Sequence, residues 1–182
     1  MTRLVVASNR ISAPSERDSR AGGLAVALRE ALRRHGGIWF GWSGRIAEQP
    51  SPEPEILNAG PITFATIDLS PQEHETYYAG YANGSLWPLL HYRLGLMEFR
   101  RRQFEGYLAA NARFAAILAR FIRPGDLVWI HDYHLIPLGE ALRRLGVSNR
   151  IGFFLHTPFP ASEAMTALPG HDRLMACFAA YD

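Results

Sequence analysis

Apolar residues along this chain fall into two kinds of run that alternate. Four short runs are almost continuously apolar: "RLVVAS" (Arg3–Ser8), "IWFGWSG" from Ile38, "LVWIH" from Leu127 and "NRIGFFLH" from Asn149. Such runs have strand length and no polar alternation, the pattern of strands buried on both faces. Between them lie stretches whose apolar residues recur three and four apart. The spacing predicts a helix in "GGLAVALREALRRHGG", with Leu24, Ala27, Leu28, Ala31 and Leu32 on one face and glycines at its end.

Residues 98–122 carry the longest helical pattern, with Phe104, Leu108, Ala112, Ala115 and Leu118 as inward candidates. "RPGD" ends it, and "LIPLGEALRRLG" predicts a further helix with a glycine stop. "SPQEHETYYAGYANG" opens with Ser70 as N-cap and Pro71 at the first helical position. "ITFATIDL" alternates as an edge strand would, and the proline-rich segment 48–60 is expected to be a surface connection. Strands alternating with helices predict right-handed βαβ units: an α/β fold with a parallel sheet covered by helices on both faces.

Composition narrows the function classes. The 182 residues are 48% apolar and 20% charged, enough for a core, and 19 basic residues against 17 acidic give a net charge of +2. That balance argues against nucleic acid as the main partner. The single cysteine, Cys177, excludes a disulfide framework, and its apolar surroundings predict a buried thiol. No segment reaches the roughly 18 apolar residues of a membrane span, and "MTRLVVASNR" lacks a signal-peptide core, so a cytoplasmic, membrane-free chain is expected. His35, His74, His91 and His171 have no convincing metal-ligand spacing. The chain stops soon after a helix, without a polar tail, which reads as a piece of something longer.

Candidate chemistry gathers where strands end. In open parallel sheets, ligands bind beyond the carboxyl ends of the strands. Three of the predicted strands end there in polar groups: Ser8-Asn9-Arg10, Asp132-Tyr133-His134 and His156. Arg10 is either a bidentate phosphate ligand or a solvated loop residue. Asp132 either accepts from a sugar hydroxyl or caps the next helix. His156, held before the stiff "TPFP" loop, is either a site residue or a buried, satisfied imidazole. Gly22-Gly23 at a helix start is a phosphate cradle or a flexible turn, and it lacks the dinucleotide fingerprint. Trp42, Tyr78 and Trp87 offer flat faces to a sugar, whereas Trp39, Phe40 and Trp129 are expected in the core. Arg100-Arg101-Arg102 reads as a solvated helix face.

The motifs "VVASNR", "AGGLAVAL", "WFGWSG", "YYAGYANGSLWPLLHYR", "VWIHDYHL" and "RIGFFLHTPFP" occur in an order that closely resembles the trehalose-6-phosphate synthases, retaining glycosyltransferases of family 20. The resemblance runs from about Arg3 to the last residue. It implies a GT-B enzyme of two Rossmann-like domains, with residues 1–182 as the N-terminal, mainly acceptor-binding one and the donor-binding domain absent from this chain. The partners implied are UDP-glucose and glucose 6-phosphate, with no metal or other cofactor, and a homo-oligomer is compatible with the reading. By motif matching, Arg10, Trp42, Tyr78, Trp87 and Asp132 would hold the acceptor. Gly22, Gly23 and His156 would meet the nucleotide sugar, with Asp132 and His156 as the catalytic pair.

The implied mechanism is a front-face displacement in which the leaving phosphate oxygen helps take the acceptor proton; the residues themselves are equally compatible with a covalent double displacement. Half of such a cleft is expected to have little or no transferase activity. Two rival readings keep the same residues. One is a glucosylglycerol-phosphate synthase of the same family, a use that Arg10 suits and that Tyr78 and Trp87 suit less. The other is a non-catalytic sugar-phosphate-binding module.

Overall fold

The structure, a computed structural model, describes residues 2–11 and 23–182, and for 23–25 the backbone alone. Its strands are β1 (Leu4–Arg10), β2 (Gly37–Ile46), β3 (Glu55–Ala59), β4 (Ile62–Leu69), β5 (Leu127–His131) and β6 (Arg150–Phe154). Its helices are α1 (Gly23–His35), α2 (Pro71–Glu73), α3 (Trp87–Leu90), α4 (Arg101–Leu118), α5 (Leu138–Arg144), α6 (Ser162–Met165) and α7 (His171–Ala176). A π-helical run, His74–Leu86, joins α2 to α3.

The strands form one sheet in the order β3-β4-β2-β1-β5-β6. Every pairing is parallel except β3 with β4. Ala7 is level with Phe40 on one side and Ile130 on the other, and Ile130 is level with Phe153. β1, β2, β5 and β6 therefore finish along the same edge. Alternate residues of β1 feed two cores: Val5 and Ala7 face α4 and α5, while Leu4 and Val6 meet Leu28 and Leu32 of α1. Burial on both faces explains the continuous apolar runs.

Three expectations are revised. The predicted surface connection 48–60 contains β3, whose residues are exposed or half-buried, so no alternation marks it. β3 covers β4, which is thereby an internal strand and not an edge. On α4 the buried positions are Tyr107, Ala110, Asn111, Phe114, Ala115, Ile117 and Leu118, whereas Ala112 is exposed. The helix also begins at Arg101, three residues later than its apolar pattern.

Ser70 caps α2 as expected: its hydroxyl accepts from the Glu73 amide at 3.1 Å, and the Glu73 carboxylate accepts from the Ser70 amide at 2.8 Å. Beyond it, Tyr77, Tyr81 and Leu86 are buried at spacings of four and five, the wider turn of a π-helix. Gly106 of α4 lies against Thr76, where any side chain would collide, so the two helical segments pack at backbone distance.

Phe114 is fully buried, edge-on to Phe40 at 5.8 Å and to Tyr77 at 5.7 Å. Phe114→Ala is expected to cost about 3–5 kcal/mol in urea unfolding, since it removes a ring from a packed junction. An unchanged midpoint would contradict this packing.

Candidate functional site

Strand-end residues converge at the carboxyl edge. Arg10 finishes β1 with its guanidinium carbon 5.8 Å from the Trp42 ring centroid. Gly44, at φ +91°, makes room for it: a Cβ there would lie 2.6–2.9 Å from the guanidinium. The Trp42 indole is buried and pinned, donating from Nε1 to the Arg45 carbonyl at 2.7 Å. Tyr78 lies 5.0 Å from it, and Tyr78 in turn stacks on His134 at 5.9 Å. His74 completes the group, 5.9 Å from Trp42 and 5.4 Å from Tyr78. Arg10 and an aromatic wall of buried Trp42 and His134 and half-buried His74 and Tyr78 are thus continuous.

Asp132 begins the turn after β5 in a strained conformation, φ 75° and ψ 163°, a region that glycine normally occupies. The surroundings force it there. Its amide donates to the Phe154 carbonyl at 2.8 Å, and its carboxylate accepts from the His156 amide at 3.4 Å, so the end of β5 grips the end of β6. From below, the Tyr107 hydroxyl donates to the Tyr133 carbonyl at 2.6 Å and Asn111 donates to the His134 carbonyl at 3.1 Å. Strain of this kind costs on the order of 1–3 kcal/mol and persists where neighbours over-determine it.

On the α1 face, Ala27 and Leu28 close a cleft of about 380 Å³ with Trp129, His131, Phe154 and His156. A larger groove, about 570 Å³, lies between Pro52 and α4. It contains none of the strand-end residues, and its Arg113 is already satisfied by Glu73 at 2.6 Å.

The predicted residues divide as follows. Arg10, Trp42 and Tyr78 share one surface, and Asp132 and His156 are in contact at the same sheet edge. Trp87 stands apart at the start of α3, 39% exposed and stacked on His91 at 4.3 Å. Gly22 lies outside the described residues, and Gly23 is the first residue of α1. Sequence reasoning assigned no site role to Gly44, His74 or His131, and no spacing could have shown which group each would face. Trp39 and Phe40 are buried as expected, whereas Trp129 is only partly so and lines the cleft. Cys177 is buried, and burial pushes its thiol up to about 11. The arginine run is exposed. Among the described residues no three His, Cys, Asp or Glu side chains group as metal ligands, and no helix is long and apolar enough to cross a membrane.

The sequence profile of glycosyltransferase family 20 matches residues 2–182. The chain belongs to glycosyltransferase family 20. It is 50% identical over all its residues to proteins named trehalose-6-phosphate synthase from Enterobacter sp. (strain 638) and Klebsiella pneumoniae, and it spans 38% of their length. Among solved structures, this family-20 chain superposes with TM-score 0.96 and 47% identity on an alpha,alpha-trehalose-phosphate synthase (UDP-forming) from Burkholderia vietnamiensis, covering 100% of itself and 39% of that chain. The Burkholderia xenovorans enzyme in complex with glucose-6-phosphate matches with TM-score 0.90 and 46% identity, over 99% of this chain and 39% of the other. An E. coli structure bound with UDP-2-fluoro glucose matches with TM-score 0.92 and 46% identity, over 100% of this chain and 39% of the other.

The buried histidines at this sheet edge carry a stability consequence. Burial, with His156 adding to it, pushes His131 down to about 4, and burial pushes His134 down to about 3. In the unfolded chain both titrate near 6.5. Below that pH the unfolded chain binds more protons, so stability is complete above about pH 6.5 and falls as pH drops. Between pH 7 and 5 the two imidazoles together remove on the order of 3 kcal/mol, read by urea unfolding. His134→Phe is expected to halve that loss; an equal loss in the variant would show that His134 is not held neutral.

Proposed function

We propose that this chain is the acceptor-binding, N-terminal Rossmann-like domain of a retaining glucosyltransferase that makes α,α-trehalose 6-phosphate from UDP-glucose and glucose 6-phosphate. The donor-binding domain would be supplied by chain beyond residues 1–182. The observation that carries the reading is the convergence, on one sheet edge, of Arg10 over an aromatic wall and of a strained Asp132 beside His156. The relatives' names support it, as do the complexes of similar structures with glucose-6-phosphate and with UDP-2-fluoro glucose.

Each residue has a chemical task in this reading. Arg10 offers a fork to the 6-phosphate, a charge-assisted and bidentate contact. Trp42 underlies that guanidinium, and Tyr78 presents a face to the sugar ring; Trp87 would join them from α3. Asp132 orients the acceptor's anomeric hydroxyl, whose oxygen attacks C1 of the donor glucose. The bond from C1 to the diphosphate oxygen breaks, UDP leaves, and the hydroxyl proton passes to the departing phosphate oxygen. His156 and the Gly22-Gly23 amides would meet the charge that grows on that diphosphate. A cytoplasmic setting fits substrates of this kind, a nucleotide sugar and a sugar phosphate.

Calorimetry with glucose 6-phosphate tests the reading. Arg10→Ala is expected to weaken binding at least about tenfold, the loss of a charge-assisted hydrogen bond worth roughly 1.5–3 kcal/mol. Asp132→Gly is expected to weaken it too, while leaving stability unchanged or raised by about 1–2 kcal/mol, since glycine accepts the backbone conformation. Residues 1–182 alone are expected to give no turnover with UDP-glucose. Binding indifferent to Arg10→Ala would overturn the acceptor site, and normal turnover would overturn the division of labour between domains.

A further inference from the structure

Behind His156 sits a second imidazole, which the proposed reaction does not use. His131 ends β5 only 1% exposed, with ring centroids 4.4 Å from Trp129, 6.1 Å from Phe154 and 5.4 Å from His156. Its Nδ1 lies 3.1 Å from Nε2 of His156, and its own Nε2 is buried with no hydrogen-bond partner. The next residue locks the pair, because Asp132 bonds to the Phe154 carbonyl and the His156 amide, on either side of Leu155.

A hydrogen bond between two uncharged imidazoles needs one N–H and one bare nitrogen, so only two arrangements exist. If His156 donates from Nε2, His131 keeps its proton on Nε2, and a buried N–H is left without an acceptor. If His131 donates from Nδ1, the orphan is a lone pair. Buried N–H groups without acceptors are the rarer case in folded proteins. An N–H···π contact with Trp129 would be second-order beside a lost hydrogen bond. Burial also keeps His131 uncharged near neutral pH, with its titration down at about 4.

We propose that His131 is a positioning residue that donates Nδ1–H to Nε2 of His156 and so holds the His156 proton on Nδ1. The inference rests on the proposed role of His156 toward the nucleotide sugar and deepens it. With Nε2 occupied, the ring nitrogen left for a ligand is Nδ1, fixed as a donor. A donor already aimed and protonated suits an oxygen on which negative charge develops, and it needs no reorganisation during the reaction. An imidazole without a second ring behind it would exchange its tautomer and lose that bias.

Nitrogen NMR of the histidine rings in ¹⁵N-labelled protein at pH 7.5 tests this directly, with His156→Gln supplying the assignment. The expected result is a His156 ring with hydrogen on Nδ1 and a bare Nε2. In His131→Phe the preference is lost and the ring-nitrogen shifts of His156 move toward averaged values. His131→Asn, whose amide N–H falls near the lost Nδ1–H, retains the preference. A wild-type His156 protonated on Nε2 would overturn the proposal, as would an unchanged spectrum in His131→Phe. The wild-type spectrum decides even if the phenylalanine variant does not fold. No substrate is involved, so a negative result here leaves the transferase reading intact, and failed glucose 6-phosphate binding leaves this measurement intact.

Discussion

Parallel register between β1, β5 and β6 is the constraint on which the rest depends. With Ala7 level with Ile130 and Ile130 level with Phe153, the chain leaves all three strands at the same height. Residues 122 or more positions apart, Arg10 and Asp132 among them, thereby share one edge without any contact chosen for that purpose. The same register places the first turn of α1 at that edge, because α1 must run back from the end of β1 to the start of β2. A one-residue slip of β5 would send Val128 and Ile130 to the α1 face and Trp129 to the other.

Against that fixed frame, stability is given up locally at the edge. Asp132 occupies backbone space suited to glycine, and two buried imidazoles stay uncharged at the end of β5. Support comes from below: Tyr107 and Asn111 on α4 satisfy the carbonyls of the same turn, and Phe114 locks α4 to β2 through Phe40. Asn111, polar in a helix core, supplies part of this support and also donates to the Tyr107 carbonyl. The arrangement links core packing to the site, since the residues that hold α4 also hold Asp132.

This division explains what the sequence made legible. Strands buried on both faces announce themselves, so β1, β2, β5 and β6 were readable, and with them the edge that gathers Arg10, Asp132 and His156. β3 was hidden because solvent reaches its residues and removes the alternation. The inward face of α4 was misjudged because an apolar tally favours Ala112 over Asn111, while the fold needs an amide there to hold a turn far away in sequence. The roles of Gly44 and His131 were hidden for a different reason: their importance lies in which ring or guanidinium they touch. Trp87 was singled out with the other aromatics, yet its described ring partner is His91 alone.

The central claim is that one pocket mouth at the carboxyl edge receives the sugar phosphate. A crystal of this protein soaked with glucose 6-phosphate tests it most directly. The account predicts the phosphate on the Arg10 guanidinium, the ring beside Tyr78 and the anomeric hydroxyl within hydrogen-bond reach of Asp132. Density for the ligand at the opposite edge, near Arg3 and Asp126, or in the groove beside Arg113, would contradict it.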